Sequence, residues 1–169
     1  MKFIADRMLG KLAKLLRILG FDTLYSNRID FKELLRVARE KGRIILTKNT
    51  LIKKKVGKHR FLFINDNDPK KQLKEIITNL SLEIEPDKIF TRCLLCNNKL
   101  KEIQREDAGG KVPDYIFESH RDFSFCDKCE RIFWKGTHHK HMLTVLKECF
   151  PCGSHHRYVT TQAQSGKGT

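Results

Sequence analysis

The sequence predicts an α/β domain built on a parallel sheet, followed by a small cysteine-bearing domain. Three observations carry this reading. Across residues 1–88 short apolar runs alternate with stretches of helical period, around Glu85-Pro86 that alternation stops, and from Cys93 onward Cys-x-x-Cys pairs take its place. Strands alternating with amphipathic helices form βαβ units, whose crossovers make the strands parallel. With 169 residues and 40% hydrophobic content the chain has material for a packed core. Its mean hydropathy of -0.48 lies near ordinary globular usage, away from that of a disordered basic arm.

Each element has a local reason. Lys2-Phe3-Ile4-Ala5 is a short buried strand that ends at Asp6. From Arg7 to Leu19 the basic residues Arg7, Lys11, Lys14 and Arg17 step by four, three and three, placing them on one helix face with the leucines opposite. Gly20 ends this helix as a C-terminal cap, and Phe21 to Tyr25 is a second strand. Asp30 is the N-cap of a helix with apolar residues at 31, 34, 35 and 38, and Glu33, three residues on, completes a capping box. Arg43 to Thr47 and Phe61 to Ile64 are the third and fourth strands, and Asp68-Pro69 opens a helix running through Leu73, Ile76, Ile77 and Leu80. The expected division is an α/β domain at 1–88, a small cysteine domain at 89–148 and a flexible polar tail at 149–169.

Charge narrows the partner. The net charge is +14, and residues 1–90 hold +10 of it, with 21 Lys or Arg against 11 Asp or Glu. Residues 41–60 carry Lys41, Arg43, Lys48, Lys53, Lys54, Lys55, Lys58 and Arg60 without an acid. Such a block is either a solvated loop or a phosphate-contacting surface, and the face of Arg7, Lys11, Lys14 and Arg17 is open to the same two readings. Charge alone does not separate RNA from DNA, because phosphate contacts do not read the 2′-hydroxyl. The longest apolar runs, such as Ile44-Ile45-Leu46, fall far short of the ~20 residues of a membrane span. The N-terminal apolar stretch is too short for a secretion signal, so a cytoplasmic protein with reduced thiols and no membrane partner is expected.

The six cysteines form three pairs of one spacing: Cys93/Cys96, Cys126/Cys129 and Cys149/Cys152. A Cys-x-x-Cys turn aims two thiolates at one point, and two such turns complete a tetrahedral zinc site. Four thiolates make a closed site, so zinc at Cys93, Cys96, Cys126 and Cys129 is expected to be structural, the centre of a zinc ribbon. A redox dithiol would need its pair between a strand and a helix, which the flanking residues do not supply. Cys149 and Cys152, with His155 and His156 behind them, are open to a second metal site or a frayed tail.

Acids are scarce in the basic half. Asp6 follows the first strand, Asp30 and Glu33 open the second helix, and Asp66 and Asp68 follow the fourth strand. The carboxyl ends of parallel strands share one edge, where gathered carboxylates hold Mg²⁺ or Mn²⁺ for phosphoryl chemistry. Helix capping is the competing role for each of them.

The segment Phe3-Ile-Ala-Asp-Arg-Met-Leu-Gly-Lys-Leu-Ala-Lys-Leu-Leu-Arg-Ile-Leu-Gly-Phe-Asp-Thr23, with Glu33-Leu-Leu, Gly42-Arg-Ile-Ile-Leu-Thr47, Arg92-Cys-Leu-Leu-Cys-Asn97, Val112-Pro113 and Trp134-Lys-Gly-Thr-His138, resembles the PIN-like ribonuclease domain with a fused zinc ribbon of the Mut-seven exonuclease family. The resemblance covers roughly residues 1–145 and implies a PIN-like α/β fold, divalent-metal-dependent RNA cleavage, and a ribbon that assists RNA binding; a metal-dependent endoribonuclease is the first expectation. Carried over by position, Asp6, Asp30 or Glu33, and Asp66 with Asp68 as second choice, are the catalytic acids, and Asp6, Asp30 and Asp66 the Mg²⁺ or Mn²⁺ ligands. Arg7, Lys11, Lys14, Arg17, Lys48, Lys53, Lys54 and Lys55 would guide the RNA strand, with Lys135 and His138 beside Trp134 on the ribbon. The family pattern Thr-x-Asp is Thr47-Lys48-Asn49 here. Asn49 offers a carbonyl oxygen to a metal but neither charge nor basicity, so a non-catalytic RNA-binding protein, ribosome- or tRNA-associated, is the alternative expectation.

Overall fold

The computed structural model describes residues 1–136 together with Leu143 and Thr144. His138, the pair Cys149/Cys152 and the 149–169 segment lie outside the described residues. The first part runs β1 (Lys2–Ala5), α1 (Gly10–Ile18), β2 (Asp22–Tyr25), α2 (Phe31–Glu40), β3 (Ile44–Thr47), α3 (Thr50–Lys55), β4 (Phe61–Phe63) and α4 (Pro69–Leu80). Its four strands are all parallel, in the order β2-β1-β3-β4. The second part holds β5 (Lys101–Ile103), α5 (Arg105–Ala108), α6 (Asp114–Ser119), β6 (Phe123–Cys126) and β7 (Arg131–Trp134), with an antiparallel sheet in the order β5-β6-β7. This is the expected class: a parallel α/β sheet followed by a small antiparallel sheet bearing four cysteines.

Strand alternation sorts the apolar residues into two cores. Phe3, Ala5, Ile44 and Leu46 face Leu12, Leu16, Leu73 and Ile76 of α1 and α4, while Ile4 and Ile45 face Leu34, Val37, Ile52 and Val56 on the other side. The second part has its own small core of Ala108, Val112, Ile116 and Phe123, flanked by Ile132 and Trp134. Among the described residues no helix is long and apolar enough to cross a membrane.

Three local features depart from the sequence-based expectations. Helix α1 starts at Gly10 rather than at Arg7, because Asp6 draws the chain into a turn: its carboxylate accepts from Met8 N at 2.8 Å and its carbonyl from Leu9 N at 3.1 Å. Gly10 leaves room for the Tyr25 ring, whose Oη would stand 2.7 Å from a Cβ there. The basic segment after β3 contains a helix, α3, which Asn49 caps and which Ile52 and Val56 anchor in the second core. The capping box on α2 is half made: Asp30 accepts from Glu33 N at 2.8 Å, but the Glu33 carboxylate pairs with Arg36 instead of turning back.

The two parts meet through a polar knot on the edge strand β2. Asp22 accepts from Arg43 Nη1 at 2.7 Å and from Asn97 Nδ2 at 2.7 Å, with Arg92 Nη2 4.0 Å away. Burial raises the pKa of Asp22, but the hydrogen bonds from Arg43 and Asn97 and the charges of Arg43 and Arg92 outweigh it and hold the carboxyl below its ordinary range. A folded-state pKa below the unfolded value of about 3.9 contributes stability above that pH, which is lost as pH falls through the folded value. Asp22→Asn is therefore expected to cost about 2–3 kcal/mol at pH 7, by leaving two inward-facing guanidiniums without their counter-charge, and to flatten the acid limb of the stability curve. Urea unfolding of both proteins between pH 3 and pH 7 checks this; parallel curves would contradict it.

Candidate functional site

In the strand order β2-β1-β3-β4 the chain leaves β1 toward one neighbour and later returns to the other side, so the topological switch point lies between β1 and β3. A cleft of about 290 Å³ opens there, at the carboxyl ends of the strands, lined in part by Asp6, Arg7, Asp30, Asn49, Leu51 and Lys55. Asp6 forms its floor and is 2% exposed. Besides the Met8 bond on Oδ1, its Oδ2 accepts from the Thr47 hydroxyl and from Lys48 N at 2.9 Å. Thr47 Oγ1 in turn accepts from Asn49 N at 3.0 Å, so one hydroxyl ties the Asn49 backbone to the Asp6 carboxylate. Three of the four acceptor positions of Asp6 are thus filled by donors from β1 and β3 ends, which locks the acid at the switch point. Asp30 and Asn49 are caps on opposite walls: Asp30 Oδ1 holds Glu33 N and Asn49 Oδ1 holds Leu51 N at 2.9 Å.

Of the acids expected from the sequence, the structure brings Asp6 and Asp30 together with Asn49 and leaves the others outside. Asp66 lines a separate concavity with Lys71, Lys74 and Glu75, and its Oδ1 accepts from Asp68 N at 2.8 Å. Its loop is clamped from two sides. Lys48 Nζ donates to the Asn65 and Asp66 carbonyls and to Asn67 Oδ1, while Glu75 accepts from Asn65 N and from Asn65 Nδ2 at 2.7 Å. Asp6, Asp30 and Asp66 therefore do not form one ligand group. Asp68 caps α4, accepting from Lys70 N and Lys71 N at 3.0 Å. Glu33 is exposed, held below the ordinary carboxylate range by Arg36.

The basic residues divide in the same way. Arg7 and Lys55 line the cleft, and Lys11, Lys14, Lys53 and Lys54 are exposed, Lys53 lying 4.7 Å over the Phe63 ring. Lys135 is exposed on the second part, 3.6 Å from Asp122. Lys48 is engaged with the β4–α4 loop. Arg17 is a correction: it is 3% exposed and bonds to Thr23 O, Leu94 O and Leu95 O, so it does not share an outward face with Lys11 and Lys14. Its step of three from Lys14 carries it round to the side of α1 where the cysteine region docks. Sequence reasoning gave Thr47 no role, although its place two residues before Asn49 set it opposite Asp6 in a parallel register.

The second site is the cysteine cluster. Cys93 and Cys126 are buried, Cys96 and Cys129 half-buried, and the four sulfurs lie within 4.8 Å of one another. The Cys96–Cys126 separation is 3.4 Å and Cys93–Cys129 is 3.9 Å. A tetrahedron with zinc–sulfur bonds of about 2.3 Å sets sulfurs about 3.8 Å apart, so the donor set fits Zn²⁺ in both chemistry and size. Each knuckle is closed by a left-handed residue after its second cysteine, Asn97 at φ 70° and Glu130 at φ 53°. Their N–H groups donate to the first cysteine's carbonyl at 2.9 and 2.8 Å. Burial opposes ionisation of Cys96, yet the Asn98 N–H and hydrogen bonds from the other sulfurs bring it down to about 7. Cys129 is pushed up to about 12 by its bond to Cys96 and by burial. Four sulfurs at these distances do not all ionise without a cation among them.

A cleft holding Asp6 and Asp30 at the switch point of a parallel sheet, joined to a four-cysteine antiparallel sheet, defines an α/β protein with a metal-ready cysteine cluster. Residues 1–146 match the Mut7-C RNAse domain, and the chain belongs to that family. The family is described as a ribonuclease domain. The chain is also similar to the human protein named exonuclease mut-7 homolog, 34% identical over 101 residues that make up 57% of this chain and 12% of that protein. No solved structure matches the chain.

Thr47→Val tests the hydroxyl at the centre of the cleft. It removes one donor from Asp6 and the acceptor of Asn49 N, and is expected to cost about 1–3 kcal/mol, read as a lower urea midpoint at constant slope. An unchanged midpoint would show that this bond does not hold the edge.

Proposed function

We propose that the protein is a metal-dependent endoribonuclease whose cleft of Asp6, Asp30 and Asn49 takes Mg²⁺ or Mn²⁺, with Zn²⁺ in the four-cysteine cluster as a structural ion of a ribbon that aids RNA binding. The observation that carries this reading is the convergence of two carboxylates and an amide oxygen with Arg7 and Lys55 in one cleft at the switch point. The donor set is all oxygen, the ligand type that hard divalent ions prefer. When bound, such an ion supplies charge neutralisation and an acidified water for phosphodiester hydrolysis. The chain's own residues do the rest. Arg7 and Lys55 hold phosphate at the mouth, and Lys11, Lys14, Lys53 and Lys54 extend the positive field along which a strand is drawn. Met8 and Leu51, 60% and 62% exposed on the cleft wall, give ribose and base an apolar surface. The reduced cysteines suit a cytoplasmic setting.

Two observations favour a second reading, an RNA-binding protein without turnover: Asn49 is uncharged, and Asp66 stands outside the cleft. Helix caps separate the two cleanly, because Asn and Asp cap equally well. Asp30→Asn keeps the α2 cap and removes a charge; Asn49→Asp keeps the α3 cap and adds one. RNA cleavage in Mn²⁺ or Mg²⁺ is expected to fall at least about tenfold in Asp30→Asn and to rise in Asn49→Asp, with thermal midpoints held. Cleavage indifferent to both changes, or absent from wild type and Asn49→Asp while RNA binding keeps a steep salt dependence, overturns the nuclease assignment.

A further inference from the structure

The cysteine cluster is not self-contained: α1 reaches into it. Arg17, one residue from the end of α1, donates through Nη1 to Leu94 O at 2.8 Å and Leu95 O at 3.1 Å, the two residues between Cys93 and Cys96. Its Nε donates to Thr23 O at 2.9 Å. Asn97, which follows Cys96, returns the contact, its Oδ1 accepting from Thr23 N at 2.9 Å and its Nδ2 donating to Asp22. Thr23 lies on the edge strand β2, paired on one side with β1. The outward N–H and C=O that a bare edge leaves open are thus both taken, one by Asn97 and one by Arg17.

Charge points the same way. Four thiolates around a dication carry a net charge of about -2, whereas four packed thiols without metal are largely neutral. Arg17 is 3% exposed, and its guanidinium bonds directly to the first knuckle. A buried guanidinium is well placed beside a negative centre and poorly placed beside a neutral one.

We propose that Arg17 is an outer-shell residue of the four-cysteine metal site, and that through Arg17 and Asn97 metal loading governs the order of the β2 edge of the nuclease sheet. This rests on the reading that the cluster binds Zn²⁺. Metal gathers the first knuckle into the shape that presents the Leu94 and Leu95 carbonyls and the Asn97 amide; without it the acceptors of Arg17 and the cap of Thr23 are lost together. Tyr25, two residues along β2, donates through Oη to Arg7 O at 3.2 Å, so the same strand also touches the wall of the acidic cleft.

The full chain is titrated with Zn²⁺ against a chromophoric chelator, and the exchange of the Thr23 amide is followed with and without metal. At least one equivalent of Zn²⁺ is expected, with Thr23 exchange at least about tenfold faster after chelation. Arg17→Met is expected to weaken Zn²⁺ binding by about 10- to 100-fold, with partial recovery in Arg17→Lys. If Arg17→Met does not fold, Asn97→Ala carries the test, since it leaves Arg17 and all four thiols in place and is expected to make Thr23 exchange fast at saturating Zn²⁺. Zinc affinity within about twofold of wild type in Arg17→Met, or Thr23 exchange in wild type that ignores Zn²⁺, or slow Thr23 exchange in zinc-loaded Asn97→Ala, overturns the proposal while leaving the zinc reading intact. Failure of the wild-type chain to take up Zn²⁺ overturns both.

Discussion

The carboxylate of Asp6 is the constraint on which the cleft depends. It sits where β1 ends, almost without solvent, and collects a turn N–H, the Thr47 hydroxyl and the Lys48 N–H. Those bonds join the ends of the two central strands, delay the start of α1 to Gly10, and set the Arg7–Met8 turn over the cleft. A buried anion needs its lone pairs satisfied, and here the donors are main-chain and hydroxyl groups that the parallel register brings together anyway. The acid is therefore positioned by the fold itself.

A second constraint acts at the far side of the sheet. Arg17, Arg43 and Arg92 turn inward around Asp22, Thr23 and the first cysteine knuckle: Arg17 and Arg92 join the sheet to the cysteine region, and Arg43 ties β3 to β1 and the edge strand β2. Arginine suits that work because its rigid fork serves several carbonyls at once and it is less strongly hydrated than an ammonium. Lys11, Lys14, Lys53 and Lys54 are instead exposed, and Arg7 and Lys55 line the cleft at the switch point. A basic composition hence covers two physically different populations: cations exposed to solvent, and cations turned inward to hold the sheet edge in place.

Much of the architecture was legible in the sequence. The four parallel strands and α1, α2 and α4 follow from apolar period, and the cap roles of Asp30 and Asp68 from their place before apolar-periodic runs. The pairing of Cys93/Cys96 with Cys126/Cys129 follows from spacing and thiol chemistry. Less was legible in the site. Asp66 follows a strand as Asp6 does, but β4 is the outermost strand on its side, and Lys48 and Glu75 hold its loop away from the cleft. Helix α3 was hidden because its six residues carry one buried side chain and three lysines, too little period to register as amphipathic.

The residues alone determined the class of fold, the metal-ready cysteine pairs, the acid at the first strand end and the excess of positive charge, because each follows from local period, motif spacing or composition. Tertiary structure alone decided which charges do what. Arg17 shares a helical step with Lys11 and Lys14, yet the carbonyls it meets lie 77 and 78 residues further along the chain. Helical period places a side chain on a face; whether that face meets water, RNA or another domain is set by how the distant segments pack.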